Sequence, residues 1–210
     1  MTPFTALTGT AIPLMLDNID TDTIIRIERL STAGRGQLGA YAMEMLRLRA
    51  DGSEAPDCVL NLPPFRGAPI LLAGRNFGCG SSREGAVWAL ADSGVRCVIA
   101  ESFGDIFHAN CFQNGLLPIV LPRDALASLA RQAVTGTVVG VDLHTCRITV
   151  SESKPIPFTI DAHRRAALLA GLDDLSLTLS KRANIAAWQM LDRAARPWIW
   201  APVALNDVLG

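Results

Sequence analysis

An α/β fold built from parallel strand–helix–strand units is predicted by three features of the sequence. Short apolar runs at residues 69–73, 95–100 and 116–121 have the length of buried strands. Helix-length segments at 83–92 and 102–114 separate them. Gly115 stands where the second of these helices needs a C-cap. Such alternation implies parallel pairing with right-handed crossovers. Ligands of such sheets gather at the carboxyl ends of the strands. That rule puts the polar, Gly-rich loop 74–82 at the expected site.

The flanking segments read as follows. Residues 1–30 open with a β segment, turn through Asp17-Asn18-Ile19-Asp20 and reach the apolar pair Ile24-Ile25. Residues 31–40 are rich in Gly, Ala, Ser and Thr, carry Arg35 and read as a mobile loop. A short helix fits 41–50, and 51–57 is a polar loop. Residues 138–143 and 147–150 read as a β-hairpin, 158–160 as a further strand, and 161–170 as a helix ending at Gly171. The last helix covers 181–194. The expected organisation is one domain over 1–195 and a tail over 196–210. The tail contains Pro197-Trp198-Ile199-Trp200-Ala201-Pro202, whose tryptophans need cover from water. They find it on the chain's own domain or on another chain.

Composition narrows the function classes. The chain has 210 residues, 50% of them hydrophobic and 19% charged, which is the make-up of a folded globular protein. The mean hydropathy of +0.28 suits a well-filled core or a face covered by another chain. A net charge of -1 with no basic run lacks the electrostatic footprint of nucleic-acid binding. No stretch reaches the ~18 apolar residues of a membrane-spanning helix. The apolar patch at 11–16 has no Lys or Arg before it and Asp17 directly after it, unlike a signal peptide. Five scattered cysteines with no C-x-x-C spacing argue for a reducing, cytoplasmic setting. His108 and Cys111 are three apart, but no further ligands converge to complete a metal site.

The main chemical signal is Gly78-Cys79-Gly80-Ser81-Ser82-Arg83-Glu84. A Gly-rich turn at a helix start exposes backbone N–H groups and the positive end of the helix dipole, which together favour an anion. Arg83 adds a planar donor suited to a carboxylate. The same residues also suit an ordinary N-cap, with Ser81 or Ser82 capping and Glu84 in the first turn. Cys79 is no cluster ligand, because an iron–sulfur cluster needs three or four thiolates.

Asn76-Phe77-Gly78-Cys79-Gly80-Ser81-Ser82-Arg83-Glu84 resembles the serine loop of the aconitase superfamily swivel domain. Ala100-Glu101-Ser102-Phe103-Gly104-Asp105-Ile106-Phe107 with Asn110, and then Asn114-Gly115-Leu116-Leu117-Pro118, are similar to the segments that follow it. Asp20-Thr21-Asp22-Thr23-Ile24-Ile25 is similar to that domain's acidic turn. Phe158-Thr159-Ile160-Asp161 and Gly171-Leu172-Asp173 resemble the later part of bacterial 3-isopropylmalate dehydratase small subunits. The likeness spans about residues 5–192.

The resemblance implies a swivelling β/β/α domain and a hydro-lyase subunit that is active only with a large subunit. It implies no cofactor on this chain and a [4Fe–4S] cluster on the partner, acting as Lewis acid toward a small hydroxy-dicarboxylate. It implies interconversion of 2- and 3-isopropylmalate by dehydration and rehydration in leucine biosynthesis. Ser81 matches the base that takes a proton from carbon, with Arg83 as the nearby cation. Ser82 and Arg83 match the carboxylate holders, Asp22 the active-site acid, and Arg35 the loop arginine that reads the far end of the substrate. The plainer alternatives are an Asx turn for Asp22 and a solvated loop charge for Arg35. Departures from the family pattern are Gly85 where His is usual, Arg26 where Pro is common, and an altered loop around Arg35. These bear on the substrate, which leaves citraconate or a methylated malate as rivals. A non-catalytic stabilising subunit is a further alternative, and the isolated chain can form a homo-oligomer.

Overall fold

Strand β1 (Ala6–Pro13) organises the sheet because its two halves have different partners. Residues 11–13 pair in parallel with β2 (Ile70–Ala73), while residues 6–10 pair antiparallel with β5 (Val138–Asp142). Strands β3 (Cys97–Ala100) and β4 (Leu117–Val120) continue the parallel half. Strands β6 (Arg147–Val150) and β7 (Ile156–Pro157) continue the antiparallel half. The order across the sheet is β4-β3-β2-β1-β5-β6-β7. The computed structural model describes residues 1–151 and 153–201.

Period-2 alternation divides the parallel strands between two cores. Leu71, Ala73, Val98 and Ala100 face one side, where α4 (Glu84–Asp92) and α5 (Asp105–Gln113) supply Ala86, Leu90 and Phe107. Ile70, Leu72, Cys97 and Ile99 face the other, covered by Leu126, Leu129 and Ala133 of α6 (Arg123–Ala133). The parallel half is therefore covered on both faces. In β5 and β6, Val139, Val141, Ile148 and Val150 are buried and alternate with less buried residues, so this half has one core face. The short helices α1 (Thr21–Ile24), α2 (Ile27–Thr32) and α3 (Glu44–Arg47) lie in the long excursion between β1 and β2. Helix α7 (Ala162–Ala170) is capped at its start by Asp161, which accepts from the Arg164 amide, and ends at Gly171 with φ 68°.

The α/β class and the parallel units match the sequence expectation. Four α-helices among the described residues go beyond it, the short α1 and α2 and the longer α6 and α8 (Asp174–Ser180). The strand expected at 158–160 lies earlier, at Ile156–Pro157. Phe158 instead drops its ring into the core while its amide donates to the Cys146 carbonyl at 3.0 Å. By compactness the chain divides between Asp173 and Asp174, whereas the sequence reading divides it between 195 and 196. The second unit comprises α8, α9 (Arg182–Ala195) and a 3-10 turn at Pro197–Ile199. Within it the tail folds back on α9. Trp200 Nε1 donates to Asp192 Oδ2 at 2.8 Å, and Arg196 Nε donates to Asp192 Oδ1 at 2.7 Å. These bonds, that from Trp200 foremost, hold the Asp192 carboxyl below its ordinary pKa. Trp198 remains exposed, and the tail residues 202–210 lie outside the described residues.

His108 on α5 sits between Phe103 and Phe112, with ring centroids at 5.4 and 5.1 Å. Burial, then the charge of Arg164, lowers its pKa below the ordinary 6.5, with Asp105 acting in the opposite direction. Above that value the imidazole is neutral in both states, and this term is neutral too. As pH falls below it, the unfolded chain takes up a proton that the folded chain resists, and stability drops until the folded pKa is passed. His108→Gln should therefore lessen the stability lost as pH falls through 6.5 in denaturant titrations. The same pH slope in the variant would remove His108 as a cause.

Candidate active site

Because β1 and β2 run parallel, their carboxyl ends emerge side by side, and the two exit loops are joined along their length. The Gly74 amide donates to the Leu16 carbonyl at 3.0 Å, and the Arg75 amide to Asp17 Oδ1 at 2.9 Å. Further along, the Gly78 amide donates to the Ile19 carbonyl at 2.7 Å, and the Thr21 amide to the Cys79 carbonyl at 2.9 Å. Thr21 Oγ1 donates to the Ser81 carbonyl at 3.2 Å. On the other side, the Phe77 amide donates to the Ser102 carbonyl at 3.0 Å, and the Gly104 amide to the Phe77 carbonyl at 2.9 Å. The fully buried Phe77 ring meets Phe107 edge-on at 5.3 Å and Phe103 at 6.3 Å. Burying one such ring contributes ~1.5–3 kcal/mol, so Phe77 anchors the loop to the core.

The loop delivers Ser81 and Ser82 to the surface immediately before α4. Neither serine is the cap. The N-cap position belongs to Arg83, whose side chain makes no capping bond. Among the described residues neither serine hydroxyl has a hydrogen-bond partner, which sets the ordinary N-cap reading aside. Arg83 is partly buried and its Nη1 donates to Asp22 Oδ1. Asp20 accepts from the Thr23 amide at 2.7 Å to cap α1. Hydrogen bonding from Thr23, its side chain first and then this amide, lowers the Asp20 pKa. Four of the five expected site residues, Asp22, Ser81, Ser82 and Arg83, are thus brought together.

Arg35 lies further along α4. Its guanidinium stacks over the Trp88 ring at 4.8 Å, and its Nη2 donates to Asn114 Oδ1 at 3.0 Å. The segment expected to be a mobile loop is tethered instead. Asp92 Oδ2, at the end of α4, accepts from the Gly36 amide at 2.8 Å and the Leu38 amide at 3.1 Å. Residues 38–41 then form a 3-10 turn packed against α4. Sequence reasoning missed Trp88, Asp92, Asn114 and Thr21. Asn114 stood in view as a helix end beside Gly115, but nothing in the sequence reveals where its amide points.

Gly85, where the family has His, has a structural counterpart. A Cβ there would lie 2.5 Å from Leu30 Cδ2, so Leu30 of α2 occupies that space. Cys79 is half-buried in the loop. Cys97 and Cys111 are buried, which pushes their thiol pKa values up. Among the described residues no group of three or more His, Cys, Asp and Glu is arranged to hold a metal ion, and no helix is long and apolar enough to cross a membrane.

The sheet with its helices and the serine loop define an aconitase-type swivel domain. The Aconitase C-terminal domain family matches residues 1–124. The 3-isopropylmalate dehydratase small subunit of Jannaschia sp. (strain CCS1) is 51% identical over 201 residues, covering 95% of this chain and 100% of its own. That of Paracoccus denitrificans (strain Pd 1222) is 48% identical over the same coverage. A crystal structure of 3-isopropylmalate dehydratase from Methanocaldococcus jannaschii matches with a TM-score of 0.63 at 29% identity, covering 88% of this chain and 99% of its own. The chain belongs to the family of 3-isopropylmalate dehydratase small subunits.

The two loop glycines should differ in their tolerance of a side chain. Gly78 has φ +74°, and a Cβ there would fall within the Phe107 ring. Gly80 has φ +88°, but its nearest neighbour would be Asp20 Cβ at 3.5 Å. Gly80→Ala should cost only the left-handed backbone strain of ~1–2 kcal/mol. Gly78→Ala should add ~1–3 kcal/mol of overpacking. Equal losses in chemical denaturation would show that Phe107 does not restrict the loop.

Proposed function

We propose that this chain is the catalytic small subunit of a 3-isopropylmalate dehydratase, interconverting 2- and 3-isopropylmalate by loss and return of water in leucine biosynthesis. The observation that carries the reading is the exposed Ser81, whose hydroxyl has no hydrogen-bond partner among the described residues, beside the Arg83–Asp22 pair at the start of α4. Ser81 is the base that removes a proton from substrate carbon. An alkoxide is costly at neutral pH, so it needs positive potential nearby. The α4 N-terminus and Arg83 are the local sources of it. Asp22 engages one nitrogen of the Arg83 guanidinium and orients it. The remaining donors, with Ser82, bind a substrate carboxylate. Arg35 reads the far end of the substrate.

In this reading the [4Fe–4S] cluster is carried by the large subunit and not by this chain. There it would supply the Lewis acid for the substrate hydroxyl and carboxylate. The small hydroxy-dicarboxylate is bound where the two subunits meet. Five free cysteines suit a cytoplasmic enzyme. Gly85 and the loop departures favour, as a second reading, a related diacid such as citraconate or a methylated malate.

Ser81→Ala in the two-subunit complex should lower kcat by ~10²–10⁴ with assembly intact. A loss under about tenfold would move the base role to another group. The purified small subunit alone should show neither turnover nor iron absorbance. Dehydratase activity from this chain without cluster or partner would overturn the two-subunit reading. Assays of the complex against a panel of hydroxy-diacids separate the two substrates.

A further inference from the structure

We infer that Asn114 is a positioning residue for Arg35, coupling the loop that reads the substrate to the helix that begins at the serines. The inference rests on the reading of Arg35 as a substrate contact. A primary amide has two donor hydrogens and two acceptor lone pairs, and Asn114 uses all four. Its Oδ1 accepts from Arg35 Nη2 and from Trp88 Nε1, each at 3.0 Å. Its Nδ2 donates to Glu84 Oε1 at 2.8 Å and to the Asn110 carbonyl at 2.9 Å. One side chain at the end of α5 therefore joins the 31–40 segment, two successive turns of α4, and α5 itself.

The four bonds also fix the orientation of the amide. Glu84 is acceptor-only when ionised, and the Trp88 indole and Arg35 are donor-only. The Asn110 carbonyl likewise only accepts, so a flipped Asn114 would oppose like groups at all four of its contacts. Arg35 is held on one nitrogen by Asn114 and on one face by Trp88. Among the described residues the rest of its donor fork has no partner and remains available for a carboxylate. Asn114 thus holds Arg35 from one side without consuming it. Glu84 follows Arg83 directly, so any shift of the α4 N-terminus reaches Arg35 through a single amide.

The same α4 grips the segment at two further places. Leu30 lies against Gly85, and Asp92 holds the Gly36 and Leu38 amides. Residues 30–38 therefore follow α4 from its first turn to its last. This explains why a stretch of small residues has a defined course, and why one saturated amide midway along it governs where Arg35 projects.

The test is a double-mutant cycle in the two-subunit complex, with Asn114→Ala, Arg35→Ala and the double variant assayed on 3-isopropylmalate. Hydrogen exchange of residues 31–40 is followed in the free small subunit. Asn114→Ala should raise KM roughly tenfold, the worth of one hydrogen bond to a charged group, with a much smaller effect on kcat. It should also speed exchange in 31–40. In the Arg35→Ala background it should add nothing, because its effect runs through Arg35. Trp88→Phe, which keeps a stacking ring but loses the N–H, should give a partial effect in the same direction. Additive losses in the cycle, or a fall in kcat alone, would overturn the inference and leave Asn114 a structural cap. If Arg35→Ala leaves KM unchanged while the complex is active, the substrate-reading role of Arg35 fails. Unchanged exchange in Asn114→Ala would show that the amide does not hold the loop.

Discussion

The site depends on one constraint, the parallel pairing of β1 with β2 in the register Ala11↔Ile70. It makes both strands end at the same level, so the segments leaving them, residues 16–21 and 74–81, have to run beside each other. Each then supplies the other's backbone partners, which is how exposed loop amides and carbonyls avoid going unpaired. Gly74 marks the close approach, since a Cβ there would collide with Asp17 and Leu16. The acidic turn is thus part of the wall that holds Ser81, and Asp22 reaches Arg83 because of it.

Helix α4 serves two segments at once. Its N-terminus receives the serine loop, and its flank receives residues 30–38. Gly85 belongs to this arrangement. A residue without a side chain lets α2 approach α4 closely, and Leu30 takes up the room. A larger residue at 85 would push Leu30 outward and move the start of the segment that carries Arg35. The departure from the family pattern is thus accommodated in the packing between α2 and α4.

The apolar character noted in the composition has two destinations. Much of it fills the two cores on either face of the sheet, which explains the fully buried β2 and β3. Part of it lies in the second unit, where Leu175, Leu179, Trp188 and Trp198 are exposed. Trp200 is satisfied within that unit by Asp192 and by the Arg193 guanidinium 4.6 Å above its ring. Two tryptophans two residues apart thus have different surroundings, a distinction that depends on where α9 presents a carboxylate.

The sequence by itself determined the parallel units, the place of the serine loop among them and the family. The reason is that strand length, helix punctuation and a contiguous motif are local properties of the chain. Ser81, Ser82 and Arg83 are adjacent in that motif, and Asp22 sits in a second short block, so all four were legible. Helix α6 escaped the reading although Leu126, Leu129 and Ala133 repeat at helical spacing. The hold on Arg35 was not legible at all. Arg35, Glu84, Trp88 and Asn114 meet from segments far apart in sequence, and only the stacking of α5 and α4 on one face of the sheet brings them within hydrogen-bonding reach. The course of residues 31–40 was decided in the same way. Small residues left that backbone free, and the carboxylate of Asp92, the amide of Asn114 and the gap over Gly85 selected one path for it.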